Sequence, residues 1–114
     1  MANGAKVSIT GRLTKDPQKG TTKTGATQVT FSVAVNTTKK VDDKYISNFY
    51  NVTIWGQLAE YIFPKIGKGQ LVQVYGDLLL DNYTSDGKER QSLNVKGTDV
   101  IPLSKKEESS NDPF

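Results

Sequence analysis

The alternation of apolar and polar residues along the chain predicts five β-strands. Apolar side chains recur at every second position, the period of a strand with one buried face, in the segments 6–13, 27–36, 48–56, 70–82 and 90–101. In the fourth strand the predicted inward positions are Val72, Val74, Leu78 and Leu80. Residues 16–20 predict a turn, the polar segment 37–47 predicts a loop, and Asp86-Gly87 predicts a hairpin.

One segment has the period of a helix instead. Leu58, Ile62 and Ile66 recur at i, i+4 and i+8, and Pro64 predicts that this helix breaks or tightens near Phe63. Five strands with a short helix between the third and fourth are typical of the OB (oligonucleotide-binding) fold, a small barrel. We therefore expect an all-β protein, a five-stranded OB-fold Greek-key barrel.

The third predicted strand has an unusual second face. Tyr50, Val52 and Ile54 share the side expected to be buried, which leaves the other side to Phe49, Asn51, Thr53 and Trp55. A core rarely combines Asn and Thr with large aromatic residues, whereas a surface that stacks nucleobases uses such a combination. The alternative is that Phe49 and Trp55 cover a second hydrophobic layer or a subunit interface, where aromatic residues are also enriched.

Composition argues against catalysis. The 114 residues include no histidine and no cysteine, which removes the usual general base, the common nucleophile pairs, thiolate metal sites and disulfides. The 12 acidic residues are scattered through turns and the tail, and no Gly-rich phosphate loop is present. We expect no enzyme, no metal and no cofactor.

Charge and hydropathy indicate the partner and the compartment. The net charge is +3, and residues 1–44 carry eight Lys and Arg against three Asp, which favours a polyanionic partner. No apolar run approaches the roughly 20 residues of a membrane span, and residues 1–6 do not resemble a signal peptide. We expect a cytoplasmic protein, in a bacterium or in the host of a phage.

The predicted barrel gathers cations around the aromatic face. The segment 37–47 joins the second and third strands and carries Lys39, Lys40 and Lys44. The segment 83–90 joins the last two strands and contains Tyr83, Lys88 and Arg90. Phosphates would meet the cations and bases would meet the rings, which predicts a binding site for a single nucleic-acid strand.

The chain resembles the bacterial and phage single-stranded DNA-binding proteins. The resemblance covers about residues 5–103 and the last few residues, and it depends on the order and spacing of five motifs, at 7–17, 31–36, 49–60, 68–72 and 76–83. It implies that Phe49, Trp55 and Tyr83 stack on bases. It also implies that Arg12, Lys15 and the lysines of the segment 37–47 contact phosphates, and that the protein is a homotetramer, with a dimer as the alternative.

Residues 104–114 lack any periodicity and predict a short disordered tail after an OB-fold domain at 1–103. The resemblance implies that the tip, Asp112, Pro113 and Phe114, docks into replication and recombination proteins; the alternative is an accidental terminus. Two departures from the family pattern are Thr37-Thr38-Lys39-Lys40, where another aromatic is common, and the short tail. Compactness and a minimal tail suggest a phage-encoded or accessory member.

The resulting hypothesis is sequence-independent binding of single-stranded DNA, which coats and protects strands during DNA replication, recombination and repair. Two alternatives use the same barrel. In a protein-interaction module Phe49 and Trp55 would be interface residues, and in an RNA-binding module the ligand would carry 2′-hydroxyl groups.

Overall fold

The computed structural model describes residues 5–105, which form six β-strands and one short helix. The strands are β1 (Ala5–Leu13), β2 (Gln18–Thr21), β3 (Thr27–Val41), β4 (Lys44–Trp55), β5 (Leu71–Ser85) and β6 (Lys88–Pro102). The helix α1 (Gly56–Ile62) continues into a 3₁₀ turn at Phe63–Lys65.

Five of the strands close into a barrel. The order β1-β5-β6-β4-β3 returns to its start because β1 pairs with β5 along 5–12 and with β3 through Arg12 and Leu13. All these pairs are antiparallel except β4 with β6, which run parallel from Tyr50 to Thr53. The predicted five-stranded barrel with one helix between its third and fourth strands is therefore confirmed.

The barrel core consists of the apolar positions that alternate along the strands. The fully or nearly fully buried strand residues are Ile9, Leu13, Val29, Phe31, Val33, Val52, Ile54, Val72, Val74, Val95 and Val100. Most are β-branched, which suits a pleated and half-buried surface. The helical segment covers this core with Ala59, Ile62 and Ile66, the last of which follows the 3₁₀ turn.

The predicted break in the helix is confirmed. Helix α1 ends at Ile62, and the 3₁₀ turn that follows contains Pro64 in its first turn. Proline has no N–H to continue the α-helical hydrogen bonds but is tolerated at the start of a new turn. The segment leads to Gln70, whose side chain accepts a hydrogen bond from the N–H of Gly67 and donates one to the carbonyl of Ser104.

The prediction of a loop at 37–47 is wrong. Strand β3 continues to Val41 and β4 begins at Lys44, so the segment is the end of a long hairpin. Its two-residue turn, Asp42-Asp43, has φ angles of 52° and 65°. Tight hairpin turns of this kind need positive φ at both positions, and Asp tolerates that conformation.

Two further predictions are corrected. Residues 18–20, predicted within the turn 16–20, belong to the short strand β2, which pairs along the edge of β3. Leu80, predicted to face inward, is 51% exposed, although Val72 and Val74 are buried as predicted and Leu78 is partly buried against the core. Leu80 is on the same face of β5 as Val72 and Val74. It is exposed because the described pairing of β5 with β1 ends at Leu78, so the β5–β6 hairpin extends past the end of the barrel here.

Closure of the barrel depends on a glycine. A Cβ on Gly11 would lie against the carbonyl oxygen of Ala34 and 2.8 Å from Val33 Cγ1, while a Cβ on Gly20 would meet nothing within 4 Å. We expect Gly11→Ala to lower the free energy of unfolding by about 1–3 kcal/mol through overpacking. The matched change Gly20→Ala will leave it unchanged or raise it by less than about 1 kcal/mol. Urea denaturation measures both, and equal effects at the two sites would contradict this account of closure.

Candidate nucleic-acid interface

The outer face of β4 carries the predicted aromatic residues. Phe49 is 58% exposed and Trp55 is 37% exposed, whereas Val52 and Ile54 on the other face are completely buried. Tyr50 is partly buried and packs against the core. The two faces predicted from the alternation of this strand are therefore confirmed.

The neighbours of β4 leave room beside Phe49. Ala34 of β3 lies directly opposite Phe49, and its methyl group is too small to cover the ring. On the far side of Ala34, β1 places Arg12 in register. The Arg12 guanidinium donates a hydrogen bond from Nη1 to the carbonyl of Gly69 at 2.9 Å, which fixes its position. One predicted phosphate contact thus lies two strands away from Phe49, with Ala34 of β3 between them.

A strip of hydrogen-bonded polar side chains lies between the two rings. Asn51 donates from Nδ2 to Ser92 Oγ at 3.1 Å and to Asn94 Oδ1 at 3.3 Å, and Asn94 donates to the carboxylate of Asp81. These bonds connect β4 to β6 and β5 and hold the amide groups in place. Because the Asp81 carboxylate repels phosphate, this strip suits the polar edges of bases better than a nucleic-acid backbone.

Trp55 borders a groove that sequence reasoning did not identify. The groove has a volume of about 460 Å³ and is lined by Thr53, Trp55, Leu79, Asn94, Val95 and Lys96. The Nζ atom of Lys96 lies 5.7 Å from the centroid of the Trp55 ring. Lys96 reaches this position because β6 runs parallel to β4 and places it opposite Thr53. Alternation along β6 predicts which face of the strand carries Lys96. Only the pairing of β6 with β4 shows that Lys96 lies beside Trp55.

The lysine over Trp55 does not block stacking. A cation over an exposed ring contributes about 0.5–1 kcal/mol, whereas stacking of a base on an aromatic side chain contributes about 1–3 kcal/mol. Stacking of a base on Trp55 would therefore more than offset the loss of the contact with Lys96.

The β3–β4 hairpin adds an aromatic side chain that was not predicted. Tyr45 is 57% exposed and lies directly opposite Lys40, whose Nζ is 4.8 Å from the ring centroid. Alternation along β4 places Tyr45 on the side of Phe49. Lys44, one residue away, is on the reverse side, and Lys39 lies in an irregular part of β3 where its N–H donates to the hydroxyl of Thr37.

The β5–β6 hairpin brings its three predicted site residues together. Tyr83 is 49% exposed and is paired in register with Arg90. Lys88 pairs with Ser85 one step nearer the turn. Alternation puts all three side chains on the face that Leu79 presents to the Trp55 groove.

The remaining predicted residues lie apart from these clusters. Lys15 is exposed in the loop after β1, next to Asp16, whose carboxylate accepts a hydrogen bond from the N–H of Lys68 at 2.9 Å. The predicted docking tip, Asp112, Pro113 and Phe114, lies outside the described residues.

Across 5–105 no three acidic side chains are grouped to hold a metal ion. Nor does this part of the chain include a helix with the length and hydropathy of a membrane span.

The closed barrel, with its helix between the third and fourth barrel strands and its parallel β4–β6 pair, is an OB fold. The crystal structure of the small single-stranded DNA-binding protein from Streptomyces coelicolor has the same fold, with a TM-score of 0.74 over 89% of this chain and 95% of that chain at 20% identity. The model of the single-strand binding protein family matches residues 5–103. The chain therefore belongs to the single-strand binding protein family.

Curated relatives agree with this assignment. The chain is 32% identical over 102 residues to the single-stranded DNA-binding protein of Treponema pallidum, a match that covers 88% of this chain but only 58% of that protein. It is 34% identical over 107 residues to single-stranded DNA-binding protein 1 of Clostridium acetobutylicum, which covers 91% of this chain and 97% of that protein. The chain thus spans little more than half of some relatives and almost the full length of another.

Two phenylalanines provide a matched test of the exposed face. Phe31 is 6% exposed and faces the core, while Phe49 is 58% exposed on the outer surface. We expect Phe31→Ala to lower the free energy of unfolding by about 3–5 kcal/mol and Phe49→Ala to lower it by less than about 1 kcal/mol. Thermal and urea denaturation measure the difference. A large loss in Phe49→Ala would mean that its ring is a structural contact of the fold.

Proposed function

We propose that the protein binds single-stranded DNA without sequence preference and without catalysing a reaction. The observation that carries this proposal is the exposure of Phe49 and Trp55 on one strand face, on either side of a polar strip. An isolated exposed ring needs no explanation, but two rings about 20 Å apart on one rigid strand, with amide groups between them, fit two bases of a single nucleic-acid strand that are separated by intervening nucleotides. The names of the relatives support DNA as the ligand.

The two hairpins supply the electrostatic part of binding. Cations accompany the rings at Lys40 beside Tyr45, Lys96 beside Trp55, and Arg90 opposite Tyr83. Every base has a π-face, so stacking does not depend on sequence, and the lysines and arginines contact only phosphates. Duplex DNA keeps its bases stacked internally and offers no free face to these rings.

The proposed role is to coat exposed strands and to protect them during DNA replication, recombination and repair, in the cytoplasm. No cofactor enters this role. We further propose an OB-fold domain over residues 1–103, with residues 104–114 as a tail whose tip, Asp112-Pro113-Phe114, docks into replication and recombination proteins.

The single tryptophan reports on binding directly. We expect oligo-dT to quench the emission of Trp55, because a base stacks on its ring. Raising the salt concentration will weaken binding, with a slope of about 0.7 in log K against log salt for each phosphate contacted. A duplex of the same length will leave the emission unchanged. Fluorescence titration at several salt concentrations measures all three effects.

Variants of Phe49 serve as controls for this titration. Phe49→Ala will weaken oligo-dT binding about 5- to 100-fold, and Phe49→Tyr, which keeps an aromatic ring and leaves Trp55 as the single tryptophan, will retain it. Unchanged emission together with no mobility shift for any oligonucleotide would favour a protein-interaction module. Tighter binding of oligo-U than of oligo-dT would favour an RNA-binding module.

We also propose that the protein is a homotetramer, with a dimer as the simpler alternative. On one edge β1 pairs with β5, but on the other edge only Arg12 and Leu13 pair with β3, so residues 5–11 have a free edge within the described chain. A free edge is a template for pairing with another strand. Exposed apolar side chains on the neighbouring strands, Tyr75 and Ile101, suit burial against a second copy.

Mass in solution tests the assembly. We expect light scattering and sedimentation to give four times the 12.5 kDa mass of the chain at micromolar concentration. Twice that mass would support the dimer. A particle of one chain mass under these conditions would exclude both assemblies.

A further inference from the structure

The helical segment that follows β4 also carries an exposed aromatic side chain. Tyr61 on α1 is 64% exposed, more than any other large hydrophobic side chain in residues 5–105. The Nζ atom of Lys65 lies 4.6 Å from the centroid of its ring. The helix packs on the barrel through Ala59 and Ile62, so the Tyr61 ring is not required for that packing.

A second ring and lysine meet two residues further along the helical segment, on a different side of it from Tyr61. Phe63 is partly buried against the core, and the Nζ of Lys19 lies 5.4 Å from the centroid of its ring. Lys19 belongs to β2, all four residues of which are exposed. This strand therefore adds little to the core, but its pairing with β3 brings Lys19 to the end of the helical segment.

The same pairing of ring and lysine occurs on the proposed DNA face. Within residues 5–105 there are four such pairs: Lys40 with Tyr45, Lys96 with Trp55, Lys65 with Tyr61, and Lys19 with Phe63. Two pairs lie along β4 and two lie at the helical segment that follows it. Each exposed pair offers a nucleotide a surface for its base and a cation for its phosphate.

The two surfaces are continuous along the chain. Helix α1 begins at Gly56, directly after Trp55, and the helical rise places Tyr61 about 9 Å further along. The carboxylate of Glu60, the one acidic residue between 56 and 65, accepts a hydrogen bond from the hydroxyl of Thr27 at 3.2 Å. This contact holds the helix against β3. The lysines beside it leave the surface with a net positive charge.

We propose that a single DNA strand that leaves Trp55 continues across α1, stacks a base on Tyr61 and places its phosphates at Lys65 and Lys19. This inference extends the proposed function and depends on it. Charge complementarity and continuity with the β4 face favour a nucleic-acid strand over a second protein on this surface. The helical segment would then lengthen the binding site of one barrel without adding a loop.

Oligonucleotide length separates the extension from the main site. We would compare oligo-dT of about 5 and about 16 nucleotides, which lie near the two ends of the range that one OB fold covers. Tyr61→Ala is expected to weaken binding of the long strand about 5- to 100-fold and to leave binding of the short strand unchanged. Tyr61→Phe keeps the ring and is expected to bind both strands like the unaltered protein.

The lysines have a control that makes the same Lys→Gln change at one site elsewhere. Replacing Lys19 and Lys65 together with Gln is expected to lower the salt slope for the long strand by about 1.4, which is two phosphate contacts, and to leave the short strand unaffected. Lys6→Gln removes the same kind of charge from β1, where Lys6 pairs with Asp77 at 2.5 Å. It is expected to leave both slopes unchanged.

The outcomes distinguish the two proposals. If the unaltered protein binds both strands and Tyr61→Ala binds them equally well, the extension is wrong and the main site stands. If Tyr61→Ala instead changes the mass of the protein in solution with no effect on DNA, the surface is an interface between copies, which also overturns the extension. If the unaltered protein binds neither strand, both the proposed function and its extension fail.

Discussion

The pleat of β4 is the constraint on which the binding face depends. Val52 and Ile54 are completely buried in the barrel, and successive side chains of a strand point to opposite sides. The residues between and beside them must therefore be outside, at fixed spacing along a strand that is held by β3 on one edge and β6 on the other. The rings at Phe49 and Trp55 are thus positioned by the core and not by contacts of their own. A slip of one residue in the pairing of β4 would bury the polar strip and expose the core.

Individual charged side chains near this face matter more for a bound phosphate than the net charge of the chain. The net charge of +3 is small, and acidic residues occur inside the site at Asp81 and at the hairpin tip, Asp42-Asp43. At physiological salt the Debye length is about 8 Å, so a phosphate responds to the cation nearest to it and not to the total charge. The positions of individual lysines beside individual rings therefore indicate where a phosphate would bind, whereas the basic character of the N-terminal half does not. In the proposed complex, bases would follow the amide strip and phosphates would follow the lysines.

Sequence reasoning identified the features that depend on local pattern. The two faces of β4, the helix break at Pro64 and the turn at Asp86-Gly87 all follow from residues close together in the chain. Lys96 was missed because its place beside Trp55 depends on a parallel pairing between strands about 40 residues apart. Tyr45 was missed because a polar, lysine-rich segment resembles a loop, and the turn at Asp42-Asp43 that keeps the hairpin paired lacks the usual glycine. Register between distant strands is a property of the whole barrel, and no local pattern contains it.

The difference in rigidity between the barrel and its hairpins also bears on how the proposed DNA surface would accept any sequence. The floor of the site is rigid, because β4 lies over completely buried residues, whereas the ends of the hairpins bury little: Val41 is 52% exposed and Leu80 is 51% exposed. Segments with few buried apolar contacts open at low free energy, so the hairpins can adjust while the barrel stays folded. A purine and a pyrimidine differ in size but have similar π-faces, and a fixed ring accepts either. In the proposed complex, the adjustment that each base needs would fall on Tyr45 and Tyr83 at the hairpins, and the fixed spacing of Phe49 and Trp55 would be preserved.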